Sequence, residues 1–181
     1  MSFHAGEQME AVAPSEPAVA VLRAVSRAGF AYAPTKALCD AAGWRLVDDE
    51  PELGYVRYDM LLVAGSDELR PLSVLTAESG NTPWAFVPLF YFEEYDEGRE
   101  PFDRAFHMLA EQLARFLGGM VRSGDYSYRH RAEWSYLFAG WELADATLVL
   151  VQDEFDIQFG MDVTLWVQPA ATAIQAPLRY K

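Results

Sequence analysis

The chain has 181 residues, with 14 Lys and Arg against 27 Asp and Glu, a formal charge of −13. It is 51% hydrophobic and 14% aromatic, which suits one domain with a sizeable core and excludes a wholly disordered chain. The negative charge repels nucleic-acid phosphates, so general binding to DNA or RNA is excluded, while encounter with basic surfaces is favoured.

Residues 1–16 hold Ala, Glu, Pro and Ser without period and read as a flexible tail ahead of a single domain over 17–181. They lack the apolar stretch of a signal peptide. Nowhere does the chain approach the ~18 uninterrupted apolar residues of a membrane-spanning helix, so no membrane partner is expected. Val19, Leu22, Val25 and Ala28 recur at helical spacing in PAVAVLRAVSRAGF, with Gly29 as the stop. PTKALCDAAGW predicts a second helix: Pro34 suits the first turn, Leu38 and Ala41 face inward, and Gly43 follows the end. Cys39 lies in this helix as the chain's one cysteine. It excludes an internal disulfide and a cysteine-based zinc cluster, and its neighbours suit a small buried side chain in a cytoplasmic protein.

WRLVDD looks like the start of a strand. GYVRYDMLLVAG predicts another, with Val56, Tyr58, Met60 and Leu62 on one face. LRPLSVLTAES has no decisive period. WAFVPLFYFEEYD is β-rich in composition, and Pro88 inside it implies an edge strand or a bulge. EPFDRAFHMLAEQLARFLGG is a clear amphipathic helix, opened by Pro101 and closed by Gly118 and Gly119. Phe102, Ala105, Phe106, Leu109, Leu113, Phe116 and Leu117 form its apolar stripe; Arg104, His107, Glu111 and Arg115 lie opposite. GGMVRSGDYSYRHR reads as a loop. EWSYLFAGW, ATLVLVQ and IQFGMDVTLWVQP then form an antiparallel meander, with Ile157, Phe159, Met161, Val163, Leu165 and Val167 on one face of its last strand. The expected fold is α+β: a mainly antiparallel sheet, with the N-terminal helices and the long amphipathic helix on one face.

Catalytic signals are sparse. No G-x-S-x-G occurs, nor any glycine-rich phosphate loop. His4, His107 and His130 are scattered, and Arg129 and Arg131 beside His130 disfavour its protonation. Asp153, Glu154 and Asp156 lack the spacing and glycine of a calcium loop, and His107 with Glu111 is an ordinary solvent-side helical pair, so no metal or cofactor is expected.

The acids themselves suggest a different use. Asp153, Glu154 and Asp156 fall where the chain is expected to turn between two strands. Asp162 shares a strand face with Gln158, Gly160, Thr164 and Trp166, an acid beside a large aromatic as in interface hot spots. The competing reading has a helix or the tail covering that face within the monomer. Glu93, Glu94, Asp96, Glu97 and Glu100 with Tyr95 form a second acidic cluster ahead of the long helix, where one or two acids suit the helix N-terminus and the rest suit docking of a basic partner.

FDRAFHMLAEQLARFLG followed by EWSYLFAGWELADATLVLVQDEFDIQFGMDVTLWVQP resembles small bacterial proteins found beside secreted polymorphic toxins. The shared pattern is a helix ending in Leu117–Gly118, the tryptophans Trp134 and Trp141, Leu150 to Gln152, and Asp156 to Gly160. It covers the C-terminal part of the chain and brings no catalytic residues. The resemblance implies a cytoplasmic immunity protein that masks a basic toxin domain by binding it. Together these readings predict a non-enzymatic protein-binding module with two partner-binding patches: Asp153, Glu154, Asp156, Asp162 and Trp166, then Glu93, Glu94, Asp96 and Glu97. An acidic secretion chaperone or adaptor is the alternative, expected to form a stable dimer; a small hydrolase with a pocket at His107 or His130 is the third reading.

Overall fold

The helical spacing of Val19, Leu22 and Val25 is realised in α1 (Glu16–Arg27), where all three are buried. Ser15 caps it, its hydroxyl accepting from the Ala18 N–H at 3.4 Å, and the chain leaves through Gly29 at φ +67°. The computed structural model describes residues 10–92, 99–127, 135–156 and 160–174. α2 (Tyr32–Ala41) turns Thr35 and Cys39 into the core, while Ala41, expected to face inward, is exposed. Residues 10–15, read from sequence as part of a flexible tail, are docked. Pro14 is buried, Ala11, Val12 and Ala13 pack on the core, Ser15 N–H donates to the Leu62 carbonyl at 2.8 Å, and the Glu10 carbonyl accepts from Arg70 at 2.9 Å.

The strands are β1 (Arg45–Glu50), β2 (Tyr55–Leu61), β3 (Leu69–Leu75), β4 (Trp84–Phe92), β5 (Arg122–Ser127), β6 (Ser135–Glu142), β7 (Thr147–Asp156) and β8 (Gly160–Gln168); α3 (Glu100–Leu117) lies between β4 and β5. They form one antiparallel sheet in the order β1-β2-β3-β4-β8-β7-β6-β5. The fold is therefore α+β, as the sequence predicts. The segment without a decisive period is β3. The expected loop after α3 contains β5, so the C-terminal meander has four strands. Pro88 sits in β4, an interior strand, at a register shift between Pro88 and Phe90; the bulge absorbs the missing backbone donor.

One face of the sheet carries all three helices. Val19, Leu22 and Val25 of α1, Cys39 of α2, and Phe102, Phe106, Leu109 and Leu113 of α3 share a core with Tyr58, Leu72, Val87, Trp141, Leu150 and the β8 row Met161, Val163, Leu165 and Val167. Each large side chain removed from water here stabilises the fold by ~1.5–3 kcal/mol. Polar ties fix α3 on the sheet. The fully buried Gln152 donates to Asp103 Oδ1 at 2.7 Å and accepts from the Leu137 N–H at 2.8 Å, while Arg99 pairs with Asp103 at 3.0 Å. At the other end, Trp141 Nε1 donates to the Gly118 carbonyl at 3.1 Å, satisfying one of the carbonyls a helix end leaves open.

The opposite face has its own apolar cluster: Phe138, Val149, Val151, Trp166 and Ile174, with Trp84, Phe86 and Tyr126 against it. The segment after β8 crosses this face. Thr147 Oγ1 donates to the Thr172 carbonyl at 3.2 Å, and Arg122 to the Ile174 carbonyl at 2.9 Å. Gly140 of β6 makes room for Ile174, whose Cγ2 lies 2.3 Å from where a Cβ would stand.

Candidate functional site

The structure moves most of the sequence-predicted patch off the surface. Asp153, Glu154 and Asp156 lie in β7 and not in a turn. Asp153 is 0% and Asp162 4% exposed, and the two oppose each other across β7 and β8. Thr164 Oγ1 donates to Asp162 Oδ1 at 2.9 Å. Trp166, 6% exposed, meets Trp84 edge-on at 5.4 Å between centroids and lies tilted on Phe86 at 5.1 Å. The alternation correctly groups Asp162, Thr164 and Trp166 on one face, but that face is covered within the monomer, in part by Ile174. These three residues belong to the interior. Glu154 and Asp156 are placed by backbone register alone, opposite Met161 and Gly160. Glu93, Glu94, Asp96 and Glu97 lie outside the described residues, as do His4, His130 and Trp134.

Acids and exposed apolar side chains do meet at the β1 edge and the turn into β2. Leu46 is 41%, Val47 37% and Leu53 62% exposed, among Asp48, Asp49, Glu50 and Glu52. β1 is an edge strand, and a register shift between Leu46 and Asp48 sets Val47 apart from the ladder. The turn is pinned. Thr76 donates to the Gly54 carbonyl from both its N–H (2.7 Å) and its hydroxyl (3.0 Å). Gly54 has φ +64°, and a Cβ there would stand 2.5 Å from Ser79 N, so only glycine allows this approach.

The charges along this edge are partly balanced. Asp49 accepts from Lys36 and from the Tyr32 hydroxyl, both on α2. The Lys36 ammonium, then the tyrosine hydroxyl, hold the Asp49 carboxyl below its ordinary range; the same carboxylate raises Lys36 and Tyr32. Arg45 pairs with Asp59, and Arg57 with Asp48 at 3.9 Å. Glu50 and Glu52 are exposed and outside these ion pairs. They give the surface its unbalanced negative charge, next to Leu53.

Groups with catalytic potential are arranged differently. Cys39 is fully buried, and burial pushes its thiol up to about 12, the wrong direction for a nucleophile. His107 is exposed on the polar face of α3, as its spacing predicts. Among the described residues no group of three or more His, Cys, Asp or Glu side chains could hold a metal ion, and no helix is long and apolar enough to cross a membrane. No family model, curated protein or solved structure matches this chain. Of the residues that carry the sequence resemblance, Gly118 and Trp141 at one end, and Gln152 through Asp103 at the other, fasten α3 to the sheet. Sequence reasoning passed over the β1 edge, although RLVDDEPEL shows the signal: acids interleaved with Leu and Val beside a proline turn.

Proposed function

We propose that this chain is a non-enzymatic protein-binding module for a basic domain, acting as an immunity-type protein that masks a toxin domain by occlusion in the cytoplasm. One observation carries the reading: Leu46, Val47 and Leu53 stand exposed among Asp48, Glu50 and Glu52 on an edge whose turn is pinned by Gly54 and Thr76. Exposed apolar anchors beside the unbalanced charge of Glu50 and Glu52 are the elements of a docking surface: the anchors supply contact energy, and the charge supplies encounter rate and partner choice. A net charge of −13 extends that preference for basic surfaces over the whole molecule.

The test is capture from the source host at low salt, with the tagged full chain beside a Leu53→Asp, Glu50→Lys, Glu52→Lys triple variant. The expected result is a stoichiometric basic protein that salt releases and that the triple variant, with unchanged circular dichroism, no longer retains. A partner held equally by both chains, or one indifferent to salt, contradicts the proposal.

A further inference from the structure

Side chains of β2 alternate between the two faces of the sheet. Val56, Tyr58 and Met60 enter the core under the helices, so Tyr55, Arg57 and Asp59 lie on the other face. Register sets Arg57 between Asp48 of β1 and Ser73 of β3, with Phe86 of β4 beyond Ser73. The adjoining row on the same face is Tyr55, Leu75 and Trp84, all partly buried. The Tyr55 and Ser73 hydroxyls are bonded to each other at 3.0 Å. Arg57 is not so provided for. Its Nε is buried without a partner, while 31% of the side chain stays exposed. Among the described residues no acceptor lies within hydrogen-bond distance of the guanidinium. Asp48 stands 3.9 Å away, its Oδ1 turned to the Asp49 N–H at 3.0 Å, and Asp59 is taken by Arg45. Every other described cation, the exposed Arg115 apart, holds a carboxylate or carbonyl oxygen. A buried donor without an acceptor is costly, and a planar fork of five donors with none engaged calls for a ligand.

We infer that Arg57 binds the carboxylate of a small aromatic acid, whose ring lies on Tyr55, Leu75 and Trp84. The fork matches a carboxylate in shape, with two parallel N–H donors for two oxygens. The surrounding charge selects a monoanion. Asp48 is within 4 Å, Arg45 on the same face is already neutralised by Asp59, and the chain carries −13. A phosphate dianion would bring more charge against Asp48 than one guanidinium offsets. The ring preference comes from the neighbouring row. Strands ~4.8 Å apart make Tyr55, Leu75 and Trp84 an apolar strip about 10 Å long, enough for one ring beside the guanidinium. The site stands on the face of the sheet, not on its β1 edge, and no protein partner enters its test.

The probe is sodium benzoate, titrated into the isotope-labelled full chain while the arginine Nε–Hε signals are followed by NMR. Arg57→Gln assigns the signal. The expected result is a saturable shift of the Arg57 signal. Acetate should bind about tenfold more weakly, for want of a ring to cover the apolar strip. Inorganic phosphate should also bind more weakly than benzoate. Arg57→Lys keeps the charge but loses the fork, and should weaken benzoate binding about tenfold. Asp48→Asn removes the competing carboxylate without touching the fork, and should strengthen binding about threefold. Both positions are partly exposed, and circular dichroism checks the fold. An Arg57 signal indifferent to benzoate would mean a guanidinium that is only hydrated, and would overturn the site. So would equal binding by Arg57→Lys, acetate or phosphate binding as tightly as benzoate, or no gain in Asp48→Asn.

Discussion

Replacing Gly140 by alanine tests the packing of the second sheet face. A Cβ at Gly140 would stand 2.3 Å from Ile174 Cγ2, 2.8 Å from Cδ1 and 3.0 Å from Cγ1. Carbon atoms at rest sit about 3.5–4.0 Å apart, so the isoleucine must retreat by about 1 Å or more. Its whole branched side chain is in the way, so a rotamer change does not clear the site. The segment must lift. Ile174 is 2% exposed, and losing that burial costs ~1.5–3 kcal/mol. The Arg122 bond to the Ile174 carbonyl contributes ~1 kcal/mol more. Alanine in place of glycine within a strand returns ~0.5–1 kcal/mol. The net loss is ~2 kcal/mol, measured by urea unfolding of Gly140→Ala, Ile174→Ala and the double variant. Ile174→Ala alone should cost ~2 kcal/mol or more. It removes all three clashing atoms, so the double variant should be no less stable than Ile174→Ala. Equal costs for Gly140→Ala in both backgrounds would refute the steric argument.

Trp166→Ala should destabilise the fold by ~3–5 kcal/mol, seen as a lower urea midpoint, since the ring fills the cluster with Trp84 and Phe86. Loss of partner binding with stability unchanged would return Trp166 to the surface role first expected of it. Burial alone would raise the Asp145 carboxyl, but hydrogen bonds from Arg23 and Arg27 outweigh it and hold the group below its ordinary value. A carboxyl lowered on folding stabilises above its unfolded value, and that stability is lost as the pH falls through about 4 and below. Asp145→Asn should therefore be less stable than the parent at pH ~7 and lose less stability on acidification; parallel curves would contradict the assignment. Cys39, with its thiol raised to about 12 and fully buried, should resist a thiol reagent in the native chain and react fully in denaturant; rapid native labelling would show the site open.

What the sequence made legible was periodic. The rows Val19–Leu22–Val25, Phe102–Phe106–Leu109–Leu113 and Met161–Val163–Leu165–Val167 each face the core, because an amphipathic element announces its buried side through local spacing. β5 was missed because RSGDYS has no strand composition; it is extended because β6 offers it a complete ladder. The acids misled for a related reason. Asp153 and Asp162 look like turn or surface residues by type, yet both are buried, on the face of the sheet that also carries Trp166. Nothing in the alternation of β8 encodes burial of both its faces. The β1 edge was missed because its patch combines a strand, a bulge and a turn, and only the fold shows that Leu46, Val47 and Leu53 remain exposed together.

The strand order also has a consequence for how the protein is made. β8 follows β7 in sequence but lies between β4 and β7, and among the described residues it joins the two meanders into one sheet. About 75 residues separate the ends of β4 and β8. At ~5–20 residues per second, the aromatic flank of β4 waits ~4–15 s on the ribosome for its neighbour. Through that interval Trp84 and Phe86 lie on a strand paired with β3 on one side and open on the other, the kind of edge that recruits other nascent chains. Any premature stop ahead of Gly160 makes that state permanent, leaving a four-stranded and a three-stranded sheet, each with an open inner edge.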